Sequence, residues 1–239
     1  VDELDRIAAE IRAHKDEVCE FEPCQTCTQL VPGEGAHDAE ILFIGEAPGK
    51  NEDLQGRPFV GQAGKLLDEL IGSIGLARED VFITNILKAR PPGNRDPLPL
   101  EVQHHWPWLD RQVEAIDPLL IVPLGRHAMN RFLPARKIGR DHGQARLMGG
   151  RVYYPVHHPA AALYTGSLKQ TLLDDFAKIP ALLERVRTTP REELEQRSAI
   201  AEAKAQAEAD GGGAESEQPG ELAAVGSPGE PSADQLGLF

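Results

Sequence analysis

Four short apolar runs punctuate the chain: "EILFIG" (40–45), "DVFITNIL" (80–87), "LLIVPLG" (119–125) and "RVYYPVHHPAAAL" (151–163), the last passing from strand into loop. Segments with helical spacing of apolar residues lie between them. The clearest is 63–76, where Leu66, Leu67, Leu70 and Ile74 share one side. Helices are also expected over 2–18 (Leu4, Ile7, Ala8, Ile11), 100–116, 126–133 and 167–187, with Pro107 awkwardly placed inside 100–116. When each crossover carries a helix, consecutive strands run parallel and helices cover both faces of the sheet. Ligands of such sheets bind beyond the carboxyl ends of the strands. "GEAPGKNED", "TN" and "HHP" each follow a different strand at that end, so they are expected to meet at one pocket.

The first of these loops, within "GEAPGKNEDLQGRPFVGQAG" (45–64), has the glycines of a phosphate cradle but not its charge. Glu46, Glu52 and Asp53 would repel phosphates, and Lys50 lacks GxxxxGK[ST] spacing, which argues against a phosphate-loop nucleotide enzyme. The net charge of −13 argues at first sight against a nucleic-acid binder. However, 11 acidic and only 3 basic residues fall after residue 189, so the preceding body carries only −5 and leaves room for local basic patches.

No apolar run reaches the roughly 20 residues needed to span a bilayer. The charged N-terminus reads as neither a signal nor a transit peptide. A cytoplasmic monomer without a membrane partner, at the bacterial nucleoid, is the expectation. Residues 1–188 read as one folded domain. Residues 189–234 read as an acidic, low-complexity linker, disordered apart from a fraying helix near 191–209. Residues 235–239 place Gln235, Leu236, Leu238 and Phe239 on this tether, the pattern of a docking peptide. Cys19, Cys24 and Cys27 lie within nine residues, and "CQTC" has the spacing of a metal or cluster clip, though alone it is half a site.

"GEAPGKNEDLQGRPFVGQAGKLL", "ITNILKARPPGNRDP", "IVPLG" and "HHPAAAL" occur in an order and spacing that resembles the family 4, iron–sulfur type uracil-DNA glycosylases, over roughly residues 15–185. The resemblance implies a three-layer α/β/α sandwich around a four-stranded parallel sheet. It also implies a DNA glycosylase that flips uracil out of single- or double-stranded DNA and hydrolyses its N-glycosidic bond to start base excision repair. By that resemblance Phe59 stacks on the base and Asn85 reads its edge with an amide donor and acceptor. His158 hydrogen-bonds uracil O2 as negative charge develops, and the backbone of Glu46 and Ala47 borders the ring. Glu52 is the first choice for positioning water or stabilising the sugar cation, and Asp53 the second. Lys88, Arg90, Arg95 and Lys169 are candidate phosphate contacts, and Leu163 or Tyr164 a wedge in the DNA stack. The terminal "QLGLF" resembles the bacterial sliding-clamp motif.

The family's four-iron cluster takes four cysteines. Cys24 and Cys27 match two of them, but the third position is Ala89 and the fourth is His105 or His104. Cys19 and His105 could complete a set with Cys24 and Cys27. A cluster with altered ligation, zinc, and no metal all remain open. The loss of two cysteines motivates an alternative: a non-catalytic or altered-specificity relative that binds uracil or abasic DNA.

Overall fold

The computed structural model describes residues 2–17 and 19–211. Helix α1 (Glu3–Ala13) starts at Asp2, whose Oδ1 accepts the Leu4 N–H at 3.0 Å. A 3-10 turn at His14–Asp16 and α2 (Glu22–Thr26) follow. The next elements are β1 (Glu34–Gly35), β2 (Ile41–Gly45), α3 (Lys50–Gln55), α4 (Gln62–Ser73), β3 (Phe82–Asn85) and α5 (Pro99–Ile116). Then come β4 (Leu120–Pro123), α6 (Gly125–Phe132), α7 (Ile138–Asp141), β5 (Arg146–Met148) and β6 (Arg151–Tyr153). The described chain closes with α8 (Pro159–Ala162), α9 (Gly166–Phe176), α10 (Ile179–Thr188) and α11 (Arg191–Gly211).

The strands form a six-stranded sheet in the order β1-β3-β2-β4-β6-β5. The inner strands β3, β2, β4 and β6 run parallel, while β1 and β5 pair antiparallel at the two edges. The expected four-stranded parallel sheet is therefore only the centre of a larger mixed one. β1 has two residues in a glycine-rich segment, too few for any periodicity to show. β5 and β6 flank Gly149 and Gly150, with φ of 57° and 71°. Two left-handed residues match the twist of a tight hairpin, so the Gly-Gly pair was a signal for β5 that the apolar pattern did not carry.

Every residue of β2 is buried, as expected of a strand covered on both faces. Its alternate side chains enter two cores. Leu42 and Ile44 pack with Ile7, Ile11, Leu109 and Val113 from α1 and α5. Ile41 and Phe43 pack with Leu67, Leu70, Phe176 and Ile179 from α4, α9 and α10. Burying such a side chain contributes about 1.5–3 kcal/mol. The single helix expected over 167–187 is broken into α9 and α10. Pro180, in the first turn of α10, has no N–H to continue α9 and would crowd the Phe176 carbonyl. Pro107, by contrast, lies inside an unbroken α5.

α11 occupies the start of the segment read as linker. Its Leu194 and Ser198 are buried, and Glu202 accepts the Gly149 N–H at 2.9 Å. The expected disordered tail and the peptide Gln235, Leu236, Leu238 and Phe239 lie outside the described residues. Among the described residues no helix is long and apolar enough to cross a membrane.

Candidate active site

The register of β2 against β3 sets the site. Gly45 and Asn85, the last residues of the two strands, are paired. A side chain at Gly45 would collide with Asn85 Oδ1 and with the Phe59 ring, so only glycine lets the amide and the ring come this close. Asn85 is 2% exposed, and its Oδ1 has no hydrogen-bond partner among the described residues. Leaving a buried acceptor unpaired costs about 1–3 kcal/mol. Such an atom marks a place for a ligand's donor.

Phe59 adopts φ 49°, an uncommon region for a bulky residue. Arg78 holds this turn. Its guanidinium donates to the Phe59 carbonyl at 3.3 Å and to the Pro58 carbonyl, and pairs with Glu34 and Asp68 at 2.7 Å each. The Phe59 and His158 rings lie 5.7 Å apart between centroids, inclined at 27°. Rings that close pack against each other, and both line the cleft described below.

His158 caps α8, and its Nδ1 accepts the Ala160 N–H at 3.1 Å. Burial, with help from nearby His127, pushes its pKa down to about 4. The ring is thus neutral at pH 7, and its single proton is on Nε2. Glu52 Oε1 accepts the N–H groups of Val60 and Gly61 at 2.8 and 2.9 Å, which locks the carboxylate against the Phe59 turn. Glu46 carries a raised pKa because burial, and then Asp96, outweigh the cations near it. Its Oε1 has no hydrogen-bond partner among the described residues.

Glu46, Ala47, Glu52, Phe59, Asn85 and His158 line one cleft of about 290 Å3. Three of the expected loops therefore converge. A fourth wall was not expected in this role: Pro91, Asn94, Arg95 and Asp96 of the proline loop also line the cleft. "PPGN" (91–94), in the connection that leaves β3, was the available signal, since a loop at a strand's carboxyl end borders the ligand crevice.

The Uracil DNA glycosylase superfamily pattern matches residues 32–179, which include every cleft residue named above. A type-4 uracil-DNA glycosylase of Saccharolobus solfataricus is 45% identical over 199 residues, 77% of this chain and 88% of the relative. The chain belongs to the uracil-DNA glycosylase superfamily. Type-4 uracil-DNA glycosylases of Archaeoglobus fulgidus (49% identical, covering 70% of this chain and 92% of the relative) and Thermotoga maritima (40%, covering 66% and 85%) place it in the type-4 branch.

Of the other residues expected to serve a uracil-DNA glycosylase, two are buried and several already have partners. Asp53 is buried away from the cleft, accepting the Thr28 N–H at 2.7 Å and the Thr28 hydroxyl at 2.9 Å, so it ties the cysteine segment to α3. Lys88 is fully buried and cannot reach a phosphate. Its Nζ donates to Thr84 Oγ1 and the Asn85 carbonyl, both at 2.8 Å, and to Gln112 Oε1 at 2.6 Å. Arg95 lines the cleft but is forked onto Glu101 at 2.6 and 2.9 Å, with Glu22 at 3.1 Å. Arg90 donates to Asn94 Oδ1 at 2.7 Å, and Lys169 pairs with Glu69 at 2.8 Å. Leu163 and Tyr164, after α8, are 42% and 91% exposed.

The expected ligand set of Cys19, Cys24, Cys27 and His105 is not what the fold assembles. His14, Cys19, Cys24 and His104 bring one donor atom each within 4.8 Å of one another. Cys27 points its thiol back to the Cys24 carbonyl at 3.5 Å. His105 is buried, accepting the Lys88 N–H on Nδ1 at 3.3 Å with Nε2 3.5 Å from Cys24 Sγ. Ala89, at the third cysteine position of the family pattern, is fully buried and has no donor. A four-iron cluster binds each ligand to a separate iron through thiolates. Two thiols and two imidazoles gathered around one point do not fit it.

Proposed function

We propose that this chain is a uracil-DNA glycosylase that removes uracil from DNA by hydrolysing its N-glycosidic bond, using the cleft at the ends of β2 and β3. The observation that carries the reading is the buried Oδ1 of Asn85, without a hydrogen-bond partner among the described residues, in one cleft with Phe59 and His158. Uracil offers a donor at N3–H and acceptors at O2 and O4. Asn85 Oδ1 accepts N3–H while its Nδ2 donates to O4. Cytosine, with an acceptor at N3 and a donor at N4, meets both atoms with the wrong partner.

An extruded base stacks on Phe59, an interaction worth about 1–3 kcal/mol. The N1–C1′ bond then breaks with its electron pair leaving on uracil. The neutral His158 donates Nε2–H to O2, where that charge gathers; one such donor is typically worth about 2.7–4 kcal/mol. Glu52 faces the sugar, favours its cationic character and takes the proton of the water whose oxygen bonds to C1′. Glu46 and Ala47 close the near side. Arg90, Arg95 and Lys169 exchange their present partners for phosphates, and Leu163 or Tyr164 fills the gap that the flipped nucleotide leaves. The segment 235–239 serves as a sliding-clamp ligand, a reading supported by its apolar anchors on an acidic tether.

The direct test is incubation with a uracil-containing oligonucleotide and its thymine and cytosine counterparts, followed by alkaline cleavage. Strand scission confined to the uracil substrate is expected. Its absence at high enzyme concentration would leave only a binding protein.

A further inference from the structure

We infer that His14, Cys19, Cys24 and His104 form a mononuclear, tetrahedral Cys2His2 site for a zinc-class divalent ion, in place of a four-iron cluster. The inference does not rest on the glycosylase reading, because metal content can be measured without activity.

Zn–S and Zn–N bonds of about 2.3 and 2.0 Å place tetrahedral neighbours roughly 3.3–3.8 Å apart. In this structure His14 Nε2 and His104 Nε2 are 3.0 Å apart, Cys19 Sγ and His104 Nε2 are 3.5 Å apart, and all four donors lie within 4.8 Å. The nearest approach joins two ring nitrogens at a separation that one shared proton or one shared cation would give. The two thiols gathered at the same point are what favour the cation.

The surroundings are those of a held ligand set. His14 Nδ1 donates to the Glu17 carboxylate at 2.7 Å, the hydrogen bond that orients a ligating imidazole and fixes its tautomer. Phe21 stacks on His104 at 4.6 Å, and Trp108 stands edge-on to His14 at 4.9 Å. The loop is closed by Gln25 Nε2 donating to the Cys19 carbonyl at 2.8 Å and by Lys15 Nζ donating to the Cys24 carbonyl at 3.0 Å. Mixed thiolate and imidazole ligands with no open position suit structural zinc. The ion would clamp the end of α1 and the start of α2 to α5. α2 in turn holds the proline loop through the Glu22–Arg95 pair, so the site braces the far wall of the cleft.

The test is elemental analysis and visible spectroscopy of the full chain purified without added metal. About one zinc per chain is expected, with iron and acid-labile sulfide at background. Cobalt(II) exchanged into the wild-type protein should give the intense visible bands of a tetrahedral thiolate site. His14→Ala and His104→Ala should each lose the ion, and Cys27→Ser should keep it; circular dichroism checks that each variant is folded. Four irons with sulfide, no metal, a cobalt spectrum without tetrahedral character, or loss of zinc in Cys27→Ser but not in His14→Ala would each overturn the inference.

Discussion

His158 Nδ1 accepts the backbone N–H of Ala160 at 3.1 Å, and this one bond decides where the imidazole keeps its proton. With Nδ1 occupied as an acceptor, a neutral His158 must present Nε2–H to the cleft. In the proposed mechanism that donor stabilises the departing uracil. His158→Ala is expected to lower single-turnover uracil release by about 100- to 1,000-fold while circular dichroism stays unchanged. Wild-type rates in this variant would remove His158 from the mechanism.

The same environment has a pH signature. The folded pKa of His158, about 4, lies below its ordinary value of 6.5. The unfolded chain therefore takes up this proton first as pH falls. The stability associated with the neutral ring is fully present above pH 6.5 and is lost progressively as pH drops towards 4. An NMR titration of the His158 ring, assigned by its disappearance in His158→Asn, should show no protonation through pH 6 and a midpoint near 4. A midpoint at the ordinary value would mean a solvated, cationic ring.

Asn85→Asp exchanges the amide donor for an oxygen and adds negative charge beside a base that must itself become an anion. Both changes oppose uracil cleavage. A loss of at least about 100-fold in the rate of uracil release is expected, with the thermal midpoint close to wild type. Uracil release at the wild-type rate would show that the buried amide does not face the base.

Lys88→Met tests a residue whose role changed once its surroundings were known. The substitution keeps the aliphatic stem but withdraws the donor shared by Thr84, Asn85 and Gln112. Each acceptor left buried without a partner costs about 1–3 kcal/mol. The urea midpoint should fall. Salt dependence of DNA binding should stay as in wild type, whereas loss of a phosphate contact would flatten it.

The parallel centre of the sheet was legible because Ile41–Gly45, Phe82–Asn85 and Leu120–Pro123 are apolar runs closed by glycine, proline or polar residues, with helical periodicity between them. That Phe59, Asn85 and His158 line one cleft was legible because each belongs to a motif that ends or follows a strand. What sequence spacing could not carry was direction. Glu52 and Asp53 are adjacent in the chain, yet successive helix positions point to different sides, and only Glu52 reaches the cleft. Lys88 was read as a surface cation because lysine is almost never fully buried, and one of its three acceptors, Gln112, lies 24 residues along the chain from it. The same reason hid which donors lie together, since the fold gathers His14 and His104 with Cys19 and Cys24. His104 and His105 are neighbours on α5 with rings at 81°, and His14 arrives from the far end of α1.

β1 is the least conspicuous strand of the sheet, yet it carries Glu34, the carboxylate that gathers Arg57 and Arg78 at 2.7 Å. Arg78 in turn grips the peptide units on either side of the Phe59 Cα. A change at Glu34 would therefore be transmitted to the aromatic floor of the cleft without touching DNA, so inherited variation on the outer rim of this fold can weaken lesion removal while leaving every residue in contact with the substrate intact.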